Sequence, residues 1–146
     1  MKRAYYGYDG SGKLVRDNQA EVLNRQGYPC RYRNLSKNEL ASAIVGKMPE
    51  EVEEIKVALN SGGRDELIEE IADLQELVDC LVTITGLGSQ DIKSVQDQKR
   101  NRRGSFLTGQ FMEYVDLPQT AQDYEHWLNH FTNRPDGYIV KDVDEK

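Results

Sequence analysis

Two apolar stripes at helical spacing, separated by a four-residue turn, constrain this chain more than any other feature. Leu40, Ile44, Met48, Val52, Ile55 and Leu59 recur at steps of four, four, four, three and four, which lays one apolar face along a long helix. Ser36 with Glu39 forms a capping-box signature at its start, where the hydroxyl and the carboxylate satisfy amides that have no helical partner. Residues 60–63 read Asn-Ser-Gly-Gly, a turn short enough to force antiparallel neighbours. The second stripe then runs through Leu67, Ile71, Leu74, Val78 and Leu81, widened by Ile68, Leu77, Val82 and Ile84. This helix, predicted over residues 65–85, is apolar around much of its girth and is expected to be central. Pro49 removes a hydrogen bond to the Val45 carbonyl and crowds that turn. The stripe keeps its phase through the proline, so a kink near residues 46–49 is expected rather than two helices.

The flanking segments are shorter. Leu14, Val15, Val22 and Leu23, with Gly27 as a stop, predict a helix over residues 17–26. Residues 28–35 alternate after Pro29 and read as extended. Gly86-Leu87-Gly88 ends the central helix, and Ser89 caps another over residues 90–101 with Ile92 and Val95 inward. Beyond Leu117-Pro118, Thr120 with Asp123 starts a further helix striped by Ala121, Tyr124, Leu128 and Phe131 with Trp127 beside them. A turn at residues 133–137 and an extended stretch over 138–143 complete the chain. The fold expected is all-α, an antiparallel helical bundle over residues 1–117 with a C-terminal helical and extended appendage over 118–146 that packs on the bundle or on a partner subunit.

Charge is distributed unevenly. The net charge of −6 argues against nucleic-acid binding as the main task. Residues 47–79 hold eleven acidic and three basic side chains, a net of −8, whereas residues 93–103 hold five basic and one acidic, a net of +4. Opposite local fields suit a ligand that is a metal-bound polyanion. Cys30 and Cys80 lack C-x-x-C spacing and no N-terminal apolar region suggests secretion, so both read as reduced thiols in a cytoplasmic protein. No apolar run approaches the roughly 18 residues of a membrane span.

The acidic residues fall in a pattern. Glu51 and Glu54 sit three apart on the first long helix, and Glu70 and Asp73 three apart on the second. Residues so spaced share a helix face, and antiparallel packing brings four carboxylates to one place. Such a group repels itself unless a divalent cation neutralises it, and oxygen-only ligation suits Mg2+ or Mn2+. A solvated helix face yields the same spacing in a chain with 30% charged residues. Glu70 and Asp73 border the apolar stripe, where a bare carboxylate is costly, and this favours the metal reading. Downstream, Lys99-Arg100-Asn101-Arg102-Arg103 runs into Gly104-Ser105-Phe106. These cations serve either as dipole partners in a last helical turn or as a phosphate grip, with Arg forks binding oxygens bidentately. His126 and His130 are four apart without an evident third ligand and read as surface or interface histidines.

The order and spacing of Lys13-Leu14-Val15-Arg16-Asp17, the run from Lys47 through Glu54, Glu70-Ile71-Ala72-Asp73 and the basic run from Lys99 to Phe106 resemble the all-alpha nucleoside triphosphate pyrophosphohydrolases, the MazG-like and phosphoribosyl-ATP pyrophosphohydrolase superfamily. The resemblance covers residues 13–116. It implies a helical bundle that forms a homodimer or a dimer of dimers. It also implies hydrolysis of a nucleotide substrate, a triphosphate, to a monophosphate and pyrophosphate with magnesium or manganese. Carried over residue by residue, it makes Glu51, Glu54, Glu70 and Asp73 the metal ligands, and Lys99, Arg102 and Arg103, with Lys13 and Arg16, the phosphate contacts. The chain departs from the pattern at Pro49, at Asn18-Gln19-Ala20 and at Gly104-Ser105-Phe106. Two other readings stand beside this one: phosphoribosyl-ATP hydrolysis in histidine biosynthesis, and a non-catalytic helical interaction module. A carboxylate-bridged di-iron protein would want Glu-x-x-His pairs inside the bundle, and both histidines lie outside it.

Overall fold

The computed structural model describes residues 2–5 and 12–133. Among them are five α-helices and no strand: α1 (Gln19–Arg25), α2 (Lys37–Ser61), α3 (Arg64–Thr85), α4 (Ser89–Arg103) and α5 (Tyr124–Thr132). The all-α expectation is met. The chain divides into two compact units, Met1–Arg103 and Gly104–Lys146. No described helix is long and apolar enough to cross a membrane.

The helix boundaries follow from local chemistry. Ser36 Oγ accepts the Glu39 amide while the Glu39 carboxylate accepts the Ser36 amide at 2.9 Å, so the capping box closes in both directions. These bonds, with Arg33 3.1 Å away, hold the Glu39 carboxyl at about 2. At the other end Gly62 takes the left-handed conformation, φ 74°, and its amide bonds to the Ala58 carbonyl, a geometry that side chains resist. Asn60-Ser-Gly-Gly therefore reverses the chain, and α3 returns along α2. Residues 28–35 are irregular. The extended stretch expected over 138–143 lies outside the described residues.

α2 is continuous through Pro49. The side chains of Pro49 and Val45 both face solvent, so the carbonyl that loses its helical donor lies on the side of the helix where water is available. That placement explains how α2 accommodates a residue that is costly in a buried turn.

Packing departs from the two expected stripes. The buried residues of α2 are Ile44, Glu51 and Ala58, a seven-residue repeat. Opposite them the half-buried positions of α3 include Leu67, Glu70, Leu74, Leu77, Leu81 and Ile84, alternating steps of three and four. This is the 3.5-residue seam of two helices in contact. Val52 and Leu59 on α2, and Ile68, Ile71 and Val78 on α3, lie outside it and are exposed. The expectation that α3 is central is corrected: none of its residues is buried. Among the described residues α2 is the element that packs along α3, and one neighbour covers one seam of a helix that is apolar on more than one side.

In the second unit, α5 stacks Trp127 on Phe131 and His126 on His130. Trp127, Phe131, Tyr124, Met112, Leu117 and Pro118 help line an apolar cavity of about 330 Å³.

Ser36→Ala should cost about 1 kcal/mol of stability, read from urea unfolding. Glu39 adds a pH dependence with a fixed sign. Its folded pKa lies below its ordinary value of 4.5, so its contribution is present above pH 4.5 and is lost as pH falls toward 2. Glu39→Gln should remove that acid limb from the stability profile.

Candidate metal centre

Glu51 and Asp73 are equidistant along the chain from Gly62, so the antiparallel return sets them side by side. Glu70 lies one turn before Asp73 on the same face of α3. One carboxylate oxygen each from Glu51, Glu70 and Asp73 lies within 4.8 Å of the others. This acidic group is able to hold a metal ion, and its donors are all carboxylate oxygens. Neither His126 nor His130 belongs to a possible ligand group among the described residues.

Glu51 is the unusual member. It is 2% exposed, the sole buried charged residue among those described. Its Oε1 accepts a hydrogen bond from Lys47 one turn back on α2, while its Oε2 is buried with no partner. Burying a carboxylate oxygen without a donor costs free energy, and this oxygen belongs to a residue grouped with two further carboxylates. Lys47 also pairs with Glu50 at 3.2 Å. Burial works against the Lys47 ammonium, and its bonds to Glu51 and Glu50 more than offset that, leaving its pKa raised.

Glu54 stands beside the trio rather than within it. Partial burial pushes its carboxyl up, and the charges of Glu51 and Glu70 push the same way. It is the member of the cluster that resists losing its proton, as expected of carboxylates crowded without a cation. Sequence spacing gave Glu54 equal standing with Glu51; the hairpin gives Glu51 the buried position and Glu54 the rim.

The predicted phosphate contacts separate into two groups. Lys13 Nζ lies 3.1 Å from Glu50 Oε1, and the Arg16 guanidinium donates to Asp73 Oδ1. Those pairs hold the Glu50 carboxyl down and the Arg16 guanidinium up. Lys99, Arg102 and Arg103 lie at the exposed end of α4, and among the described residues no ion pair joins them to the acidic group. Sequence reasoning missed Lys47 as the countercharge of Glu51. Its spacing of four residues, a helical ion-pair distance, was the available signal. Cys30 and Cys80 are free thiols, and burial followed by the neighbouring Glu76 raises the Cys80 pKa.

Comparison with protein-family models, curated proteins and solved structures yields no match.

Glu54→Gln provides a direct check on the crowding. Because the folded carboxyl titrates above its ordinary value of 4.5, stability is lost as pH rises through the interval between the two values. Without divalent cations the variant should melt higher than the parent at neutral pH, and the gap should close below pH 4.5. A lower melting temperature at neutral pH would contradict the account.

Proposed function

We propose that this chain is a metal-dependent nucleoside triphosphate pyrophosphohydrolase, releasing a monophosphate and pyrophosphate, with Mg2+ or Mn2+ held by Glu51, Glu70 and Asp73 and with Glu54 completing the set. The metal centre rests on the buried, unpartnered Glu51 Oε2 in a residue grouped with Glu70 and Asp73, and the reaction rests on the resemblance of the motifs over residues 13–116 to the all-alpha pyrophosphohydrolases. The donor set fits: hard oxygen ligands with no nitrogen or sulfur suit a small hard dication.

When bound, such a cation supplies charge neutralisation for the triphosphate and a water of lowered pKa. The chain's own groups do the rest. Lys47 engages one oxygen of Glu51 and leaves the other open. A cation there offsets the charges of Glu51 and Glu70 that raise the Glu54 pKa. Arg16 and Lys13 stand beside the cluster as cations within reach of phosphate oxygens.

The basic end of α4 enters through a second copy. Ile68 and Ile71 on α3 are 53% and 51% exposed, and among the described residues only Ile44 and Ala58 are buried apolar side chains. A chain of this length is large enough to bury a substantial core, so a homodimer or a dimer of dimers supplies the missing apolar contacts. The opposite fields of residues 47–79 and 93–103 favour a pairing that sets Lys99, Arg102 and Arg103 of one copy toward the carboxylates of the other. The cytoplasm is the compartment that fits free thiols and a nucleotide substrate.

A panel of nucleoside triphosphates with Mg2+ or Mn2+, assayed for pyrophosphate, tests the proposal. Release should occur with at least one of them, and Glu70→Ala should lower the rate by more than about 100-fold, a larger loss than supporting residues of a metal site give. Sedimentation should return two or four times 16.7 kDa. Cation-dependent thermal stabilisation without turnover would instead select the helical interaction module, whose docking face would be the same exposed side of α3.

A further inference from the structure

Lys13 and Arg16 lie on the segment that leads into α1, and they land on opposite arms of the hairpin. Lys13 meets Glu50 on α2, and Arg16 meets Asp73 on α3. These contacts span 37 and 57 residues of sequence, so they tie the segment down across the acidic group. Asp73 is also one of the three carboxylates that converge, and the oxygen beside it that lacks a donor belongs to Glu51. Arg16 thus engages one oxygen of a carboxylate that belongs to the possible ligand group.

We infer that residues 12–18 form a built-in cationic strap that competes with a divalent cation for Asp73, so that cation binding releases Arg16 and strap docking weakens cation binding. The inference rests on the metal-centre reading. The three cations near the cluster differ in how firmly they are held. Lys47 is 21% exposed and shares the helix of Glu51, leaving Glu51 Oε2 open, so it does not have to move. The Arg16 side chain is 62% exposed against 43% for Asp73, and an ion pair so wetted is weak. A dication at the trio carries twice the charge of a guanidinium and is a hard cation matched to hard carboxylate oxygens, so it displaces Arg16. Coupling of this kind is reciprocal: whatever affinity the strap takes from the cation, the cation takes from the strap. Once released, Arg16 carries a planar donor fork beside a cation, suited to the oxygens of a polyphosphate. The exchange keeps the carboxylates partly neutralised before a cation arrives and frees a phosphate-binding group when it does.

The test uses the full chain with Mn2+ alone as probe, at low ionic strength. Calorimetric titration compares the parent with Arg16→Gln, Arg16→Lys and Asp73→Asn, and trypsin cleavage after Arg16 in the parent is timed with and without Mn2+. Arg16→Gln should bind Mn2+ about two- to fivefold more tightly, the range an exposed ion pair can contribute, with Arg16→Lys between it and the parent. Mn2+ should speed cleavage after Arg16, because the side chain leaves Asp73. Equal or weaker Mn2+ binding by Arg16→Gln, or cleavage that is unchanged or slowed, overturns the strap while leaving the metal centre standing. Failure of Mn2+ to bind any of the proteins, or equal binding by Asp73→Asn, overturns the metal centre and the strap together.

Discussion

The organising constraint of the α2–α3 hairpin is that its seam closes over a carboxylate. Withdrawing an ionised carboxylate from water costs on the order of several kcal/mol even in a relaxed protein, and Glu51 occupies the middle position of the seam, flanked by Ile44 and Ala58. An apolar residue there would pack the two helices better. What makes the position tolerable is local: Lys47 lies one turn away on the same helix and bonds one oxygen, so the pair forms with α2 itself. The second oxygen obtains no such relief. The hairpin accepts this cost at the height where Glu70 and Asp73 approach from α3. A local rule of good packing is broken at one place, and functional sites are where such breaks are expected.

Much of this frame was legible in the chain. The capping box at Ser36 and Glu39, the turn ending at Gly62 and Gly63, and the two long periodic segments left little freedom in where α2 and α3 begin and end, because caps and turns are set by neighbouring residues. The lateral packing was less legible. Reading Leu40 to Leu59 as one stripe assumed that the largest apolar residues define the contact face. With one neighbour the contact instead follows 3.5 residues per turn and drifts off that stripe, which places Glu51 inward and Val52 outward. No periodicity of apolar residues could reveal this, since the residue at the centre of the seam is charged. Glu70 and Asp73 were placed at the edge of the α3 stripe, and both are half-buried there. The approach of Arg16 to Asp73 depended on how residues 12–18 return to the hairpin, and nothing local specifies that path.

The surplus apolar surface follows from the same drift. Ile71 and Val78 belong to the stripe that periodicity selected, yet they sit outside the seam. A helix that is apolar on two sides is built for two neighbours, and α2 supplies one. The acidic run and the basic run belong to different helices, and α4 carries its cations at its far end, exposed. The exposed apolar side of α3 and the exposed cations of α4 are the two surfaces on which the proposed assembly rests.

Charge at the site itself narrows what would complete it. Glu50, Glu51, Glu54, Glu70 and Asp73 place five carboxylates near three cations, Lys13, Arg16 and Lys47. With all five ionised, two negative charges remain unbalanced. Burial and the charges of Glu51 and Glu70 raise the Glu54 carboxyl above its ordinary value. A hydrogen bond between the Glu54 and Glu51 carboxyls raises the Glu54 pKa further. A dication offsets two charges and, unlike a proton, has coordination positions for several oxygens at once. The raised Glu54 carboxyl and the buried Glu51 Oε2 without a hydrogen-bond partner are then both consequences of crowding carboxylates at one height of the hairpin.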